Sequence, residues 1–440
     1  MKKTIEDLCL KNKRVLLRAD FNVPLCDGAI DNDKRIREEI PTIEYLLNQG
    51  ASVVICSHLG RPNGVDKKFS LKPVAKRLAE LLGKKVKVIM AKDVVGEDAN
   101  AKAKTLKPGQ VLVLENLRFE KGEEENKPAF VKKLAKLGDE FVFDAFGTAH
   151  RNHASTVGLS AVMPSAVGYL VNKELEIING TLKNPERPFV GILGGSKVKD
   201  KIKVISNLLD KVDVLMIGGG MAYTFIKALG GNVGSSIVDE DSIELASELM
   251  QKAQKRGVNF ILPVDNVCAK EISPVAKTKK SASFEIPEGY MGLDIGKKSI
   301  KCFKKAVKKA KTVIWNGTLG VSEYDKFRKG TFEIAKFITK SKAKVIVGGG
   351  DSAAAMEEFG FADNLYHVST GGGASLVLFE GNTLPAIEAI EDKVLPEADR
   401  PAKKVAVKTV KVKSEEKKAP AKKSTSKAKT AKPKAKNKSE

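Results

Sequence analysis

Short runs of apolar and β-branched residues recur along the chain, and amphipathic, helix-like segments separate them. In the first half, the runs lie at residues 15–17, 51–55, 86–89, 111–114 and 141–143. In the second half, they lie at residues 189–193, 212–217, 260–262, 312–315 and 344–347. Short apolar runs that alternate with helices indicate buried parallel strands in βα units. Two such series predict an α/β fold with two doubly wound parallel-sheet, Rossmann-like lobes.

Residues 171–188 separate the two series and have the pattern of a polar helix followed by a proline-punctuated linker. One more surface helix would give the same pattern, but the strand series restarts just after Pro188, which favours a domain boundary. The predicted organisation is an N-terminal lobe at residues 1–170, a hinge helix and linker at residues 171–188, and a C-terminal lobe at residues 189–376.

The end of the chain has a different composition. From Pro401 onward it consists mainly of Lys, Ala, Pro, Ser and Thr, and it contains no aromatic residue. Such a segment cannot bury enough apolar surface to offset its ordering entropy. Residues 397–440 are therefore predicted to be a disordered basic tail.

The composition of the whole chain predicts a cytoplasmic, soluble protein. Hydrophobic residues make up 42% and charged residues 30% of the chain, as in ordinary globular proteins. The five cysteines are scattered without CxxC spacing, which excludes a disulfide framework and a cysteine zinc site and predicts a reducing compartment. No apolar run approaches the length of a membrane helix, and Glu6 and Asp7 interrupt any signal-peptide core.

The net charge of +23 is unevenly distributed. Residues 397–440 carry fifteen lysines and one arginine against five acidic residues, which gives this segment a net charge of +11. The preceding 396 residues therefore carry +12. A basic body of this kind is consistent with small anionic substrates.

Residues 191–201 open the second half with the sequence GILGGSKVKDK. Gly194, Gly195 and Ser196 follow an apolar run and precede a helix-like pattern, a turn that suits an anion. Lys197 and Lys201 are four residues apart, so we expect them on one side of that helix. A Walker loop needs Gly before the lysine and Ser or Thr after it, and this stretch has neither. Taken alone, it fits a strand–turn–helix corner with two solvated lysines equally well.

Charged and polar residues follow the strands of the first half. Asp20 and Asn22 follow the first strand, His58 and Arg61 the second, Arg118 the fourth, and His150 and Arg151 the fifth; Arg35 comes from the helix after the first strand. Ligands of doubly wound sheets bind at the carboxyl ends of the strands. A single arginine is most often a solvated surface residue, but several guanidinium groups that converge on one edge predict a multiply charged small anion.

Glycines follow the strands of the second half. They form the groups Gly194–Gly195, Gly218–Gly220, Asn316–Gly317, Gly348–Gly350 and Gly371–Gly373. Glycine lets the backbone approach a ligand closely, and its N–H groups form nests around phosphate. One triplet is often only a tight turn, but three triplets after strands predict a nucleotide. Asp351 follows one triplet and is a candidate Mg²⁺ ligand, because Mg²⁺ prefers a carboxylate together with phosphate oxygens.

The two edges together predict direct phosphoryl transfer between two bound anions. No Ser-His-Asp set, cysteine nucleophile or histidine metal cluster is evident among the candidate residues. Catalysis would then rest on positioning and charge neutralisation. Lys197 and Lys201 are the candidates to neutralise the transferring phosphoryl group.

The strand-end motifs, taken in order, resemble the phosphoglycerate kinase family over residues 4–396. In the first half these are RADFNVP at 18–24, SHLGRP at 57–62, LENLRF at 114–119 and DAFGTAHR at 144–151. In the second half they are GGSKV at 194–198, GGGMA at 218–222, WNG at 315–317, GGGDS at 348–352 and VSTGGGAS at 368–375. The order and spacing of these motifs match the family's. GLDIG at 292–296 matches a further family pattern.

This resemblance implies ATP-linked interconversion of 3-phosphoglycerate and 1,3-bisphosphoglycerate with Mg²⁺. The residues implied to bind the glycerate ligand are Asp20, Phe21, Asn22, Arg35, His58, Leu59, Gly60, Arg61, Arg118 and Arg151. Those implied to bind ATP or ADP are Gly195, Lys201, Gly219, Gly292, Asn316, Glu323, Gly349, Gly350, Asp351 and Ser352, with Asp351 at the metal. The implied catalytic groups are Arg35, Lys197, Lys201, Gly371, Gly372 and Gly373.

The resemblance further implies a monomer whose two lobes close about a hinge, with residues 377–396 returning to pack on the N-terminal lobe. The chain departs from the family pattern in two places. Thr318 and Ser322 replace the usual Pro and Phe near the expected adenine and ribose, which predicts altered nucleotide affinity or base preference rather than lost activity. The second departure is the basic tail, which the family normally lacks.

Two interpretations of the tail stay open. Its Lys/Ala/Pro tracts resemble the tails of histone H1-like proteins, and clustered lysines displace counterions from DNA or RNA. This interpretation predicts nucleic acid as a partner. The same composition would equally suit an extension that only raises solubility.

Overall fold

The computed structural model describes residues 2–393. Its strands are β1 (Arg14–Ala19), β2 (Leu25–Cys26), β3 (Ala29–Ile30), β4 (Ser52–Cys56), β5 (Lys87–Met90), β6 (Gln110–Val113), β7 (Glu140–Asp144), β8 (Ser165–Val167), β9 (Phe189–Leu193), β10 (Val214–Ile217), β11 (Asn259–Ile261), β12 (Asp265–Ala269), β13 (Lys279–Ala282), β14 (Met291–Ile295), β15 (Thr312–Asn316), β16 (Lys344–Gly348) and β17 (His367–Val368). Its α-helices are α1 (Lys34–Asn48), α2 (Lys72–Leu82), α3 (Glu97–Thr105), α4 (Lys121–Glu124), α5 (Pro128–Ala135), α6 (Tyr169–Lys183), α7 (Ile202–Leu209), α8 (Met221–Ala228), α9 (Ile243–Lys255), α10 (Lys297–Val307), α11 (Lys329–Ile338), α12 (Gly350–Glu358), α13 (Gly372–Phe379) and α14 (Pro385–Ala389).

The first half forms a six-stranded parallel sheet in the order β5-β6-β4-β1-β7-β8. Strand β1 is central, with Arg18 opposite Cys56 of β4 and Ala19 opposite Asp144 of β7. The residues that follow these strands therefore emerge side by side at one edge of the sheet. This edge carries the polar residues that were predicted from the sequence to follow these strands.

Both faces of the first sheet are covered. Neighbouring residues of β1 point to opposite sides, and each side packs in its own cluster. Val15 and Leu17 pack with Ile43 of α1 in one buried cluster. Leu16 packs with Leu134 of α5 in a second cluster on the other face. Each such fully buried aliphatic side chain contributes about 1.5–3 kcal/mol, so the sheet is a rigid platform for its edge.

The second half forms another six-stranded parallel sheet, in the order β11-β10-β9-β15-β16-β17. The order reverses between β9 and β15, which is where doubly wound sheets bind ligands. The last residues of four strands are in register: Ile217, Leu193, Asn316 and Gly348. The glycine loops that follow these strands therefore lie next to one another.

The predicted fold class is confirmed, and every apolar run that was interpreted as a strand overlaps one. The sequence did not reveal the edge strands β8 and β17, the β2–β3 hairpin, or the antiparallel sheet β13-β12-β14. β8 and β17 are only three and two residues long. The buried strands β12 and β14 contain the polar residues Asn266 and Asp294, and β13 reads KKSA and is largely exposed. Strands that are short, interrupted by polar residues or exposed leave little signal in the hydrophobic pattern.

The helix that links the two sheets, α6, begins where a side chain caps it. Asp144, at the end of β7, accepts hydrogen bonds from the N–H groups of Leu170 and Val171 at 3.3 and 2.8 Å. A carboxylate is favourable at a helix N-terminus because the free N–H groups and the helix dipole are there. The end of the first sheet thereby fixes the start of the helix predicted to be the hinge.

The chain contacts the first half within α14 and again after it. Ala386 N–H donates to the Ala149 carbonyl at 3.1 Å, and Lys3 N–H donates to the Glu391 carbonyl at 2.9 Å. Residues 394–396 of the predicted return segment and the predicted disordered tail at 397–440 lie outside the described residues. Within residues 2–393, no helix is long and apolar enough to span a membrane.

Candidate functional site

Cationic side chains gather around Asp20 at the carboxyl edge of the first sheet. Asp20 is buried, and its Oδ2 accepts a hydrogen bond from Nη1 of Arg35 on α1 at 2.7 Å. Nδ1 of His58 lies 3.9 Å from Asp20 Oδ1. Although burial alone would raise the pKa of Asp20, the nearby Arg35, His58 and Arg18 hold it below its usual value. Asp20 is therefore ionised and anchors the cluster.

The loops that carry this cluster are tied together by amide side chains. Asn22 Oδ1 accepts from the N–H of Gly60 at 2.8 Å. Asn116 Oδ1 accepts from the N–H groups of Leu59 and Arg118 at 3.2 and 3.0 Å. These bonds connect the segments after β1, β4 and β6, so the cationic side chains rise from a fixed scaffold.

Phe21 and Leu59 pack into the core and are at most 2% exposed. Only the backbone of these two predicted substrate-binding residues is therefore left to face a ligand. Arg61 is exposed, whereas Arg118 is buried and donates to the carbonyl of Gly60. The scaffold thus offers both a buried and an exposed guanidinium at the same edge.

The cationic groups repel one another. Burial lowers the pKa of Arg118 and Arg151, and the charges of Arg18 and Arg61 lower it further. Burial, the largest effect, also lowers the pKa of His58 well below its usual value, with Arg18 adding to it and Asp20 opposing it. A bound polyanion would relieve this repulsion, which is the electrostatic pattern expected of an anion site.

The glycine loops of the second half pack directly on one another. Gly194 N–H donates to the Asn316 carbonyl at 2.9 Å, and Gly195 N–H donates to the Thr318 carbonyl at 3.2 Å. Gly349 has a φ of +97°, and a Cβ there would lie 2.6 Å from Nδ2 of Asn316, so only glycine fits. The loops after β9, β15 and β16 therefore form one backbone surface.

Lys201 reaches into this surface. Its Nζ lies 3.4 Å from the Asn316 carbonyl and also donates to the Asn316 side chain. Burial lowers the pKa of Lys201 to about 8, while Asp351 and Asp200 act in the opposite sense. A partly buried ammonium beside these glycine loops is suited to a phosphate oxygen.

A cavity of about 310 Å³ lies beside these loops. Its lining includes the predicted nucleotide-binding residues Gly195, Gly219, Gly292, Glu323 and Asp351. Its apolar wall comes from residues that the sequence did not single out, namely Tyr223, Ile237, Ile272, Leu293 and Val321. Thr318 also lines the cavity, whereas Ser322 is absent from the lining. The combination of an apolar wall with glycine N–H groups fits a planar base joined to phosphates.

The helix predicted after Gly195 starts later than expected. Residues 199–201 form a 3₁₀ turn, and α7 begins at Ile202. Lys197 precedes both, so the expectation that Lys197 and Lys201 stand on one side of a common α-helix is wrong. Lys197 is exposed, whereas Lys201 is partly buried. The turn follows Gly194 and Gly195, which pack against the loop after β15.

The loop of Gly371–Gly373 touches the first half of the chain. A Cβ at Gly371 would lie 3.0 Å from the backbone N of Gly147, and one at Gly373 would lie 2.8 Å from the His150 ring. Arg35 Nη2 donates to the carbonyl of Thr370, just before this loop, at 3.5 Å. A cleft of about 200 Å³ is lined by Arg35 together with Gly349, Gly350 and Gly372. Arg35 thus contacts residues of both halves.

Asp351 is the predicted metal ligand. It is exposed in the first turn of α12 and lines the 310 Å³ cavity. Its negative charge opposes the lowering of the Lys201 pKa by burial. Among residues 2–393, no group of three His, Cys, Asp or Glu side chains could hold a metal by itself. One carboxylate beside a glycine-rich backbone surface nevertheless fits Mg²⁺, which binds through one or two carboxylates and substrate phosphates.

Three buried residues beside the cationic cluster were not predicted as site residues. Arg18 lies within β1, Glu123 in α4, and Ser155 in the segment after Arg151. Arg18 belongs to the RADFNVP motif, but its position inside a strand gave no sign that it would join the cluster. Glu123 lies in the acidic run 123–125, which by itself is typical of a solvated surface.

Comparisons with known proteins agree with this geometry. The family model described as phosphoglycerate kinase matches residues 5–382. A phosphoglycerate kinase of Clostridium tetani is 52% identical over 394 residues, which covers 89% of this chain and 98% of the relative. One of Clostridium botulinum (strain Alaska E43) is 54% identical over 393 residues, with 89% and 99% covered.

Solved structures are similar as well. The phosphoglycerate kinase of Coxiella burnetii has a TM-score of 0.79 and 41% identity, with 88% of this chain and 98% of that chain covered. The enzyme from Pyrococcus horikoshii OT3 has a TM-score of 0.76 and 34% identity, with the same coverage. All four relatives are matched almost from end to end, while part of this chain extends beyond them.

Proposed function

Since the chain belongs to the phosphoglycerate kinase family, we propose that it binds the glycerate ligand at the first sheet and the nucleotide at the second. It would then transfer a phosphoryl group directly and reversibly between 1,3-bisphosphoglycerate and ADP. The observation that carries this proposal is Arg35, which bonds Asp20 in one half and reaches Thr370 in the other. A guanidinium at this junction is suited to the group that passes between the two ligands.

A coupled assay tests this proposal. With ATP and 3-phosphoglycerate, we expect turnover that depends on both substrates; 2-phosphoglycerate should be a poor substitute because its phosphate is displaced within the cationic cluster. Turnover that is indifferent to the position of the phosphate would contradict the assigned site.

The roles we assign combine the family motifs with the place of each residue at the two sheet edges. Asp20, Asn22, His58, Arg61, Arg118 and Arg151, with backbone groups of Phe21, Leu59 and Gly60, would hold the glycerate ligand. Gly195, Gly219, Gly292, Asn316, Glu323, Gly349, Gly350 and Ser352 would hold the nucleotide, and Lys201 its phosphates. Lys197, Arg35 and the N–H groups of Gly371–Gly373 would surround the transferring group, where fixed donors stabilise developing charge.

Asp351 would hold Mg²⁺ together with the nucleotide phosphates. The ion would neutralise phosphate charge during transfer. We expect Asp351→Asn to raise the Mg²⁺ concentration needed for half-maximal rate. An unchanged Mg²⁺ requirement would remove Asp351 from the metal site.

Transfer requires the two edges to meet, and we propose that closure of the lobes about residues 171–188 brings them together. The boundaries would be those expected from the sequence, with lobes at 1–170 and 189–376 and a return segment at 377–396. Closure also excludes water, which would otherwise hydrolyse the acyl phosphate. The radius of gyration should fall when both substrates are added to a variant of low turnover, and an unchanged value would contradict closure.

Lys201 gives the nucleotide site a pH dependence. Its pKa of about 8 means that it is charged below pH 8 and loses its charge above it. Bound phosphate favours the charged form, so nucleotide affinity should fall above pH 8, by up to about tenfold per pH unit. Titration calorimetry from pH 7 to 10 measures this fall. The Lys201→Arg variant keeps its charge and should give a flat profile; a flat wild-type profile would contradict the assignment.

Thr318 and Ser322 bear on the choice of base. Thr318 lines the 310 Å³ cavity, and its hydroxyl donates to the Gly320 carbonyl at 2.9 Å. We propose that any altered preference acts through Thr318. Comparing KM values for ATP, GTP and ITP in wild type and Thr318→Pro tests this idea, and identical ratios in the two proteins would refute it.

The tail suggests a second function, binding of nucleic acid through residues 397–440. Its net charge of +11 and its position beyond the family match support this proposal. We expect full-length protein to retain DNA in a salt-sensitive manner and a chain ending at residue 398 to lose that retention while keeping its kinase activity. Retention that survives truncation would refute the role of the tail.

A cytoplasmic monomer is the form we propose. The scattered cysteines and the family's two-lobed design support it, and each half supplies one substrate site without a partner chain. Light scattering during gel filtration should give a mass near the 47.6 kDa of one chain. A mass twice as large would contradict the monomer.

A further inference from the structure

Arg18 is a buried cation that has no carboxylate in direct contact among residues 2–393. It is only 1% exposed. Its Nε donates to Ser155 Oγ at 2.8 Å, its Nη1 to the Ala19 carbonyl, and its Nη2 to His58 Nδ1 at 3.2 Å. All three acceptors are neutral. Because a buried charge is costly unless it is compensated, nearby anions are required. Asp20 is one of them, since the charge of Arg18 helps to lower its pKa.

Glu123 supplies a second carboxylate through one intervening residue; burial raises its pKa, whereas the charge of Arg18 and the hydrogen bonds from Ser155 act in the opposite sense. Its side chain is almost fully buried, at 1% exposed. Its Oε1 accepts from the hydroxyl of Ser155 at 2.6 Å, and its Oε2 accepts from the N–H of Ser155 at 3.1 Å. The Ser155 hydroxyl accepts from Arg18, so its single proton is free to point at Glu123. With Glu123 ionised, the direction of every bond from Glu123 to Arg18 is determined.

The same chain determines the state of His58. A guanidinium has donors only, so His58 Nδ1 must accept with a lone pair and carries no proton. The ring is then neutral, with its proton on Nε2. Burial and the charges of Arg18, Arg118 and Arg151 lower the pKa of His58, which agrees with a neutral ring, while Asp20 opposes them.

We propose that Glu123 is a positioning residue of the glycerate site: through Ser155 it fixes Arg18, and through Arg18 it fixes the Nε2–H tautomer of His58. His58 then offers its one N–H donor to an oxygen of the anionic ligand without adding another positive charge to the cluster. This inference rests on the proposed function for the identity of the ligand. The bond directions stand on the geometry alone.

Kinetics of the Glu123→Gln variant test the positioning role. Glutamine has nearly the same shape but lacks the charge, and its NH₂ group cannot accept from Ser155. We expect the KM for 3-phosphoglycerate to rise about tenfold or more, because a charge-assisted chain is broken, while the KM for ATP stays unchanged. The matched control is Glu125→Gln, an exposed carboxylate nearby that pairs with Lys127 at 2.5 Å; its KM values should not change.

The tautomer is tested separately by imidazole ¹⁵N spectra of the full-length protein, with the His58 signals assigned from their loss in His58→Asn. We expect a neutral Nε2–H ring between pH 6 and 8, and mixed tautomers in Glu123→Gln.

A ring protonated on Nδ1, or an unchanged KM for 3-phosphoglycerate in Glu123→Gln, would overturn the proposal. Should that variant fail to fold, Ser155→Ala breaks the same chain and is judged by the same two measurements. An inactive wild type would instead refute the proposed function, and the spectra would still judge the tautomer.

Discussion

The Arg35→Ala variant should fold normally but lose about 10²–10³-fold in kcat, the usual effect of removing one donor to developing charge. Arg35 bonds the buried Asp20 at 2.7 Å and reaches the Thr370 carbonyl at 3.5 Å. It is therefore well placed to donate hydrogen bonds to the phosphoryl group as this group passes from one half of the chain to the other. The coupled assay measures kcat, and thermal unfolding reports on folding.

A neighbouring arginine of α1 provides the control for this variant. Arg37 is 56% exposed and pairs with Asp33 at 2.8 Å on the surface. Arg37→Ala should leave kcat unchanged, since exposed ion pairs of this kind contribute about 0–1 kcal/mol to stability and nothing to the site. Arg35→Lys should recover only part of the loss, because an ammonium cannot form the bidentate contact. Near-normal turnover in Arg35→Ala would remove this residue from the mechanism.

The Lys197→Ala variant should show the second large loss, about 10²-fold or more in kcat. Lys197 is exposed in the loop that joins Gly195 to the 3₁₀ turn at 199–201. Because its side chain is not part of the packed core, the melting temperature should not change. Because Lys201, in its proposed role, would still hold the phosphates, the KM for ATP should change little, which would mark Lys197 as a group that acts in the transition state.

Lys199 lies two residues further along and is also exposed, although its backbone N–H bonds Asp239 at 3.1 Å. It matches Lys197 in charge and exposure but belongs to the 3₁₀ turn. Lys199→Ala should therefore retain normal kcat. Equal losses in the two variants would show that general positive charge, rather than the position of Lys197, matters.

The strands and the placement of the site residues were predictable because they depend on short-range pattern. Apolar runs define buried parallel strands, and parallel strands deliver the residues that follow them to one edge. Asp20, His58, Arg118 and Arg151 could thus be grouped without coordinates. The antiparallel sheet could not, because β13 is exposed and polar residues interrupt the buried strands β12 and β14.

The buried support of the site could not be predicted, because it depends on which way each side chain points. Arg18 and Arg61 both belong to motifs at the ends of strands, yet Arg18 is buried in β1 and Arg61 is exposed. Glu123 stands in an acidic run with two exposed neighbours, and only packing of α4 turns it inward. The start of α7 is likewise later than the sequence pattern indicates, because residues 199–201 form a 3₁₀ turn before it.

Isotope exchange between labelled ADP and unlabelled ATP tests most directly whether transfer occurs between two bound ligands without a phosphoenzyme. The label should pass from ADP to ATP only when 3-phosphoglycerate is present, because the phosphoryl group has no other acceptor. Exchange without 3-phosphoglycerate would reveal a covalent phosphoenzyme and contradict direct transfer.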